Sequence, residues 1–182
     1  MMSIAITQSI ARESTFGWTS IVRLGLVQAC IGAIVVMTTS TLNRIMVVEL
    51  ALPASLPGFL VAIHYFIQVI RPRMGFESDS GSKKSPWIIG GVAILALGGF
   101  GAAIATTLMG VNLIIGILAA TLAFFLIGIG VSMSGTSLLA LLAKGVSDER
   151  RAAAATTVWL MMIFGFALTS GSKNLPANPL VN

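Results

Sequence analysis

The chain has 182 residues, 56% of them hydrophobic and only 9% charged, with a mean hydropathy of +0.97. A water-soluble domain of this size needs far more polar surface, so the composition points to a membrane as solvent. The net charge of +5 would suggest nucleic acid in a soluble protein, but the bases are placed as topology determinants, and nucleic acid is not an expected partner.

Residues 1–20 carry Arg12 and Glu13 but no separate apolar core before a small-residue cleavage site, so the first span is expected to target the chain as well. Five apolar runs then reach or exceed the roughly 18 residues of a spanning helix. They are predicted over Leu24–Asn43, Leu52–Ile70, Trp87–Leu108, Asn112–Leu142 and Ala152–Ser170. The connections are too short for a second domain. The expected organisation is a cytoplasmic segment over 1–20, a single helical bundle over 21–170 and a short polar tail over 171–182. That tail has too few residues to span and carries Pro176 and Pro179.

In the first span Cys30 is the lone cysteine and is predicted to be a buried structural thiol. Arg44 and Glu49 flank its outer end, where an exposed pair contributes little and snorkelling suffices for Arg44. In the second span His64, the single histidine, is followed by Gln68 and Arg71 at i+4 and i+7, so the three share one face. A polar stripe should face protein or an aqueous path, not acyl chains. Three roles fit His64: a histidine satisfied by a neighbouring helix, an axial ligand to a pigment magnesium, or a gating or proton role.

Between the second and third spans lies Arg71-Pro72-Arg73-Met74-Gly75-Phe76-Glu77-Ser78-Asp79-Ser80-Gly81-Ser82-Lys83-Lys84, the most charged stretch of the chain. The third and fourth spans are separated only by Met109, Gly110 and Val111 and should form a tight antiparallel hairpin. Small residues recur four apart on both: Gly98, Ala102 and Thr106 on the third, Gly128, Ser132 and Thr136 on the fourth. Such stripes let backbones approach closely in lipid, or form a groove for another subunit or a flat ligand. The fourth span is long enough that it must tilt, bend or project. Lys144, Asp148, Glu149, Arg150 and Arg151 make a solvated connection to the fifth span, with Ser147 as its N-cap.

If five helices alternate, Arg12, Arg23, Arg71, Arg73, Lys83, Lys84, Lys144, Arg150 and Arg151 fall on one side, and only Arg44 and Lys173 on the other. The split predicts a cytoplasmic N-terminus and a periplasmic C-terminus. No acidic residue falls near mid-membrane, and there is no nucleophile–histidine–acid set or metal-ligand cluster. An enzyme is therefore not expected, and a proton-driven carrier is disfavoured.

Gly75 and Asp79, followed by the paired bases Lys83 and Lys84, resemble the cytoplasmic loop motif of the major facilitator superfamily. Ser80 and Ser82 depart from its usual Arg and Gly. The wider wording is similar to the PucC, or bacteriochlorophyll delivery, family. Arg23-Leu24-Gly25-Leu26-Val27-Gln28, Leu42-Asn43-Arg44-Ile45-Met46-Val47-Val48-Glu49-Leu50 and Pro53-Ala54-Ser55-Leu56 carry it. So do Ala62-Ile63-His64-Tyr65, Trp87-Ile88-Ile89-Gly90-Gly91, Gly135-Thr136-Ser137-Leu138-Leu139 and Arg150-Arg151-Ala152-Ala153-Ala154-Ala155-Thr156.

This resemblance implies an all-α integral membrane protein whose helices correspond to the N-terminal half-bundle of a major facilitator transporter. Full members have about twelve helices in two halves, so a truncated member is expected. It also implies a role in assembling bacterial light-harvesting complexes. The expected partners are antenna polypeptides or a light-harvesting/reaction-centre complex, together with membrane lipids. The expected location is the intracytoplasmic photosynthetic membrane. Bacteriochlorophyll or carotenoid at an interface is the cofactor the resemblance suggests. The alternative is a half-carrier for bacteriochlorophyll or another amphipathic small molecule, active only as an oligomer.

Overall fold

The computed structural model describes residues 16–80 and 85–171, with side chains described for 16–75 and 85–171. The described residues form helices and connections, with no strand among them. Six helices follow in chain order: α1 Trp18–Glu49, α2 Ser55–Ile67, α3 Arg71–Ser80, α4 Ser85–Val111, α5 Leu113–Gly145 and α6 Asp148–Gly171.

Four of these, α1, α4, α5 and α6, are long and apolar enough to cross a membrane. The second predicted span differs. Its uninterrupted α-helical part, α2, has 13 residues and passes through a 3-10 turn, Gln68–Ile70, into α3. Pro72 explains the change of winding. Its missing amide would have served the Gln68 carbonyl, and its ring crowds that carbonyl. The Arg71 amide bonds the Gln68 carbonyl instead, one residue earlier than an α-helix would place the donor.

α1 extends well beyond its predicted span because two π-helical segments, Met37–Thr41 and Ile45–Glu49, carry it to Glu49. At the first of them Thr38 Oγ1 donates to the Ile34 and Val35 carbonyls at 2.9 and 3.0 Å, and Thr39 Oγ1 to Val35 at 2.7 Å. These bonds satisfy carbonyls that the wider winding disturbs. Ala51, at φ 51°, then turns the chain out of the helix in the left-handed region.

Helix directions alternate along the chain, with α2 and α3 continuing in one direction. α4 and α5 are antiparallel, with Leu95 opposite Gly130 and Met109 opposite Gly116. α1 and α6 run parallel, with Gly25 against Met161 and Ala29 against Gly165. α2 and α3 run parallel to α5, with His64 and Ile67 at Gly128 and Gly75 at Thr136. The end of α5 is tied to the start of α1 by the Phe16 amide, which donates to the Gly145 carbonyl at 2.7 Å.

α5 is the central element, with 44% of its most apolar window buried, against 17% for α6. One core gathers Leu60, Leu95, Phe124 and Ile127 where α2, α4 and α5 meet; the other gathers Ile21, Leu138, Leu142 and Val158 between α1, α5 and α6. Outward faces stay apolar: Leu97, Phe100, Leu118, Leu122, Leu160 and Phe164 are all exposed. That arrangement costs free energy in water and suits hydrocarbon. The chain is therefore an all-α membrane protein.

Cys30 corrects an expectation: it is exposed, not buried. It follows Leu26 by one turn on the outward face of α1, and an outward face in lipid accepts a thiol as readily as a core does.

Candidate functional site

The hairpin seam brings α4 and α5 backbones together through glycine. A Cβ on Gly98 would lie 2.8 Å from Ile127 Cγ1 and 3.0 Å from the Ala123 carbonyl oxygen. One on Gly130 would lie 2.5 Å from the Leu95 nitrogen. Ala102 and Thr106 continue the Gly98 face and are buried. The other stripe, Gly128, Ser132 and Thr136, turns away from this seam. Gly128 meets α2, where a Cβ would lie 2.9 Å from the His64 carbonyl oxygen. Ser132 is buried and donates to the Gly128 carbonyl at 2.7 Å. Thr136 meets Gly75 of α3, with its Cγ2 3.0 Å from where a Cβ would stand.

The loop motif is thus partly helical. Gly75 and Asp79 lie on α3, one turn apart, not in an extended loop; Lys83 and Lys84 lie outside the described residues. At the start of α6, Ser147 Oγ accepts from Arg150 Nε at 3.2 Å, and Arg151 pairs with Asp148 at 2.5 Å on the surface.

His64, Gln68 and Arg71 are brought together on the wall of one cavity of about 790 Å³ between α1, α2, α5 and α6. His64 is almost fully buried. The Gln68 side-chain amide donates to its Nε2 at 2.8 Å, which leaves the proton on Nδ1. Tyr65 packs edge-on to the imidazole, with centroids 4.9 Å apart. Across the cavity Gln28 Nε2 donates to Met162 Sδ at 3.3 Å, joining α1 to α6. Among the described residues that line this cavity, three enclosed polar atoms have no hydrogen-bond partner: Gln28 Oε1, His64 Nδ1 and Arg71 Nε. Trp159, Met162 and Phe166 supply the apolar wall on α6.

A magnesium ion seeking an axial imidazole needs a free nitrogen lone pair. Nε2 is engaged by Gln68, and Nδ1 carries the proton and is enclosed. As arranged, His64 does not fit the pigment-ligand role unless Gln68 releases the ring. Among the described residues, no group of three or more His, Cys, Asp or Glu side chains could hold a metal ion.

Sequence reasoning found the His64–Gln68–Arg71 face from its spacing but missed Gln28 and Trp159, which enter the cavity through helix pairing. It also missed Asn112 as a cap. The Asn112 side-chain oxygen accepts from the Ile114 and Ile115 amides at 3.1 and 3.2 Å, which starts α5 directly after α4.

These features define a multi-helix membrane protein with an inter-helix cavity whose largely apolar wall carries a polar stripe. A family model described as PUCC protein matches residues 41–178, and the chain belongs to the PUCC family. It is similar to the bacteriochlorophyll synthase 44.5 kDa chain of Rhodobacter capsulatus, 58% identical over 158 residues, covering 87% of this chain and 37% of that protein. It is also similar to protein PucC of Rhodobacter capsulatus, 34% identical over 167 residues, covering 82% of this chain and 35% of that protein. Protein PucC of Cereibacter sphaeroides is 34% identical over 138 residues, covering 66% of this chain and 29% of that protein. The chain thus spans about a third of the length of these relatives. No solved structure matches it.

Proposed function

We propose that this chain binds and helps assemble or stabilise a bacterial light-harvesting/reaction-centre complex in the photosynthetic membrane. Membership of the PUCC family is the observation that carries the reading. The relatives' names place two of them with PucC and a third with bacteriochlorophyll synthesis. The mechanism is noncovalent. Outward apolar ridges such as Leu97 and Phe100 on α4 and Leu118 and Leu122 on α5 offer dispersion contact to antenna helices and pigment tails. Bacteriochlorophyll or carotenoid is held by such contacts at the interface, not by an axial bond to His64. The basic end of the bundle faces the cytoplasm, where it meets anionic headgroups or acidic partner segments. Replacing Leu97 and Phe100 together by Ser tests the docking face. Assembled complex per cell should fall while the variant accumulates in the membrane. Undiminished complex with a stably inserted variant would remove that face from the mechanism.

A second reading is a carrier for an amphipathic small molecule, working with a further bundle. The cavity of about 790 Å³ favours it, since carriers place their sites at such inter-helix positions.

A further inference from the structure

The cavity wall has a defined chemistry. Arg71 lines one end, and no Asp or Glu lines the cavity among the described residues. A half-buried guanidinium with an enclosed, unpartnered Nε–H carries an unmet electrostatic demand. His64 Nδ1–H is a second unpartnered donor, and Gln28 Oε1 is an unpartnered acceptor. The cationic guanidinium, with no carboxylate among the described wall residues to pair it, suits an acid group.

Apart from Tyr65, Gln68 and Thr136, the rest of the wall is apolar. Arg71 lies seven residues beyond His64, about 10 Å along the helix, at the end where α3 begins. Val35, Val131 and Phe166 line the cavity from α1, α5 and α6. A small hydrophilic anion would leave that apolar wall unfilled. A neutral hydrocarbon would leave the Arg71 charge unpaired. The volume lies within the roughly 300–1,000 Å³ range of small-molecule sites.

We propose that this cavity binds one anionic amphiphile, its carboxylate or phosphate on the Arg71 guanidinium and its apolar body against Met162 and Phe166. The inference deepens the carrier reading and does not rest on the assembly reading, because it concerns the isolated chain.

Trp159 stands on the wall and reports occupancy. The test uses the full chain in neutral detergent with Trp18 and Trp87 replaced by Phe, leaving Trp159 as the emitter. It is titrated with 9,10-dibromostearate, with the methyl ester of that acid, and with brominated phosphatidylglycerol. The acid should quench at about tenfold or more lower concentration than the ester, the worth of one charge-assisted contact. R71Q should abolish that preference, R71K should retain part of it, and R23Q, on the outer face of α1 and away from the cavity, should leave it intact. Arg71-dependent quenching by the free acid alone identifies a single-chain acid; by the phosphatidylglycerol as well, it identifies a lipid headgroup. Equal quenching by acid and ester on the chain with Arg71 intact overturns the proposal, whether or not R71Q folds. So does an acid preference that survives in a helical, monodisperse R71Q. A chain that shows acid-selective quenching but fails to bind a photosynthetic complex sinks the assembly reading alone.

Discussion

The Gln68 side-chain amide donates to His64 Nε2 across one helical turn, at 2.8 Å. This bond keeps Nε2 of a nearly fully buried imidazole unprotonated, fixes its tautomer and leaves the other nitrogen enclosed without a hydrogen-bond partner. Gln68→Leu should therefore leave Nε2 buried and unpaired and cost about 1–3 kcal/mol of stability. A thermal melt in detergent measures it; an unchanged midpoint would show the bond to be dispensable.

If His64 acts through this bond and not through a magnesium ion, His64→Leu should leave pigment per folded chain unchanged in any complex that co-purifies. Pigment extraction normalised to protein reads the result. A selective loss of pigment with the helical signal retained would restore the axial-ligand role.

The α4–α5 seam makes a sharper steric prediction. Gly130→Leu drives side-chain carbon into the Leu95 backbone, whereas a Cβ on Gly110 meets nothing within 4 Å. The first substitution should cost more than the roughly 1–3 kcal/mol of ordinary overpacking, because backbone cannot yield as a side chain can. Gly110→Ala should be near neutral. Size-exclusion profiles of the two variants, side by side, separate a broken hairpin from a tolerated methyl group.

At Ala51 the left-handed backbone, φ 51°, carries a steric cost of roughly 1–2 kcal/mol for a residue with a Cβ. Ala51→Gly removes it but loses roughly 0.5–1 kcal/mol through a more flexible unfolded chain. A net gain of about 0.5–1 kcal/mol is expected as a higher melting midpoint. A lower midpoint would mean that Ala51 packing outweighs its strain.

Topology has its own test. Lys83→Glu combined with Lys84→Glu weakens the positive-inside signal at the end proposed to face the cytoplasm. Accessibility of terminal tags in inside-out vesicles should become mixed. Uniform accessibility identical to the native chain would show that Arg71, Arg73, Lys144, Arg150 and Arg151 suffice.

Much of this architecture is legible in the sequence because a membrane helix must be apolar along its length. The runs over Trp87–Leu108 and Ala152–Ser170 each lie inside an observed helix, and the run over Asn112–Leu142 starts on the cap of α5 and continues inside it. Local backbone changes are less legible. Nothing in Met37–Thr41 or Ile45–Glu49 announces π winding, whereas Pro72 does announce the disturbed turn before it. The four-residue stripes pick out close-packing glycines without saying which helix each one meets. Gly98 meets α5, but Gly128 meets α2. The hairpin seam itself has a seven-residue rhythm, Gly91, Gly98 and Ala105 against Gly116, Ala123 and Gly130. That spacing suits helices packed with a slight left-handed crossing, and a search for sevens would have found it. Half of the cavity is legible for the same kind of reason. His64, Gln68 and Arg71 share a helix face, while Gln28 and Met162 meet only after folding, 134 residues apart.

The central claim is that the chain docks to a photosynthetic complex. The most direct measurement is the absorption spectrum of the native, tagged chain isolated from photosynthetic membranes in mild detergent. The account predicts antenna or reaction-centre bands at a fixed ratio to the chain, constant across the elution peak. A colourless chain, or bands whose ratio drifts through the peak, would contradict it.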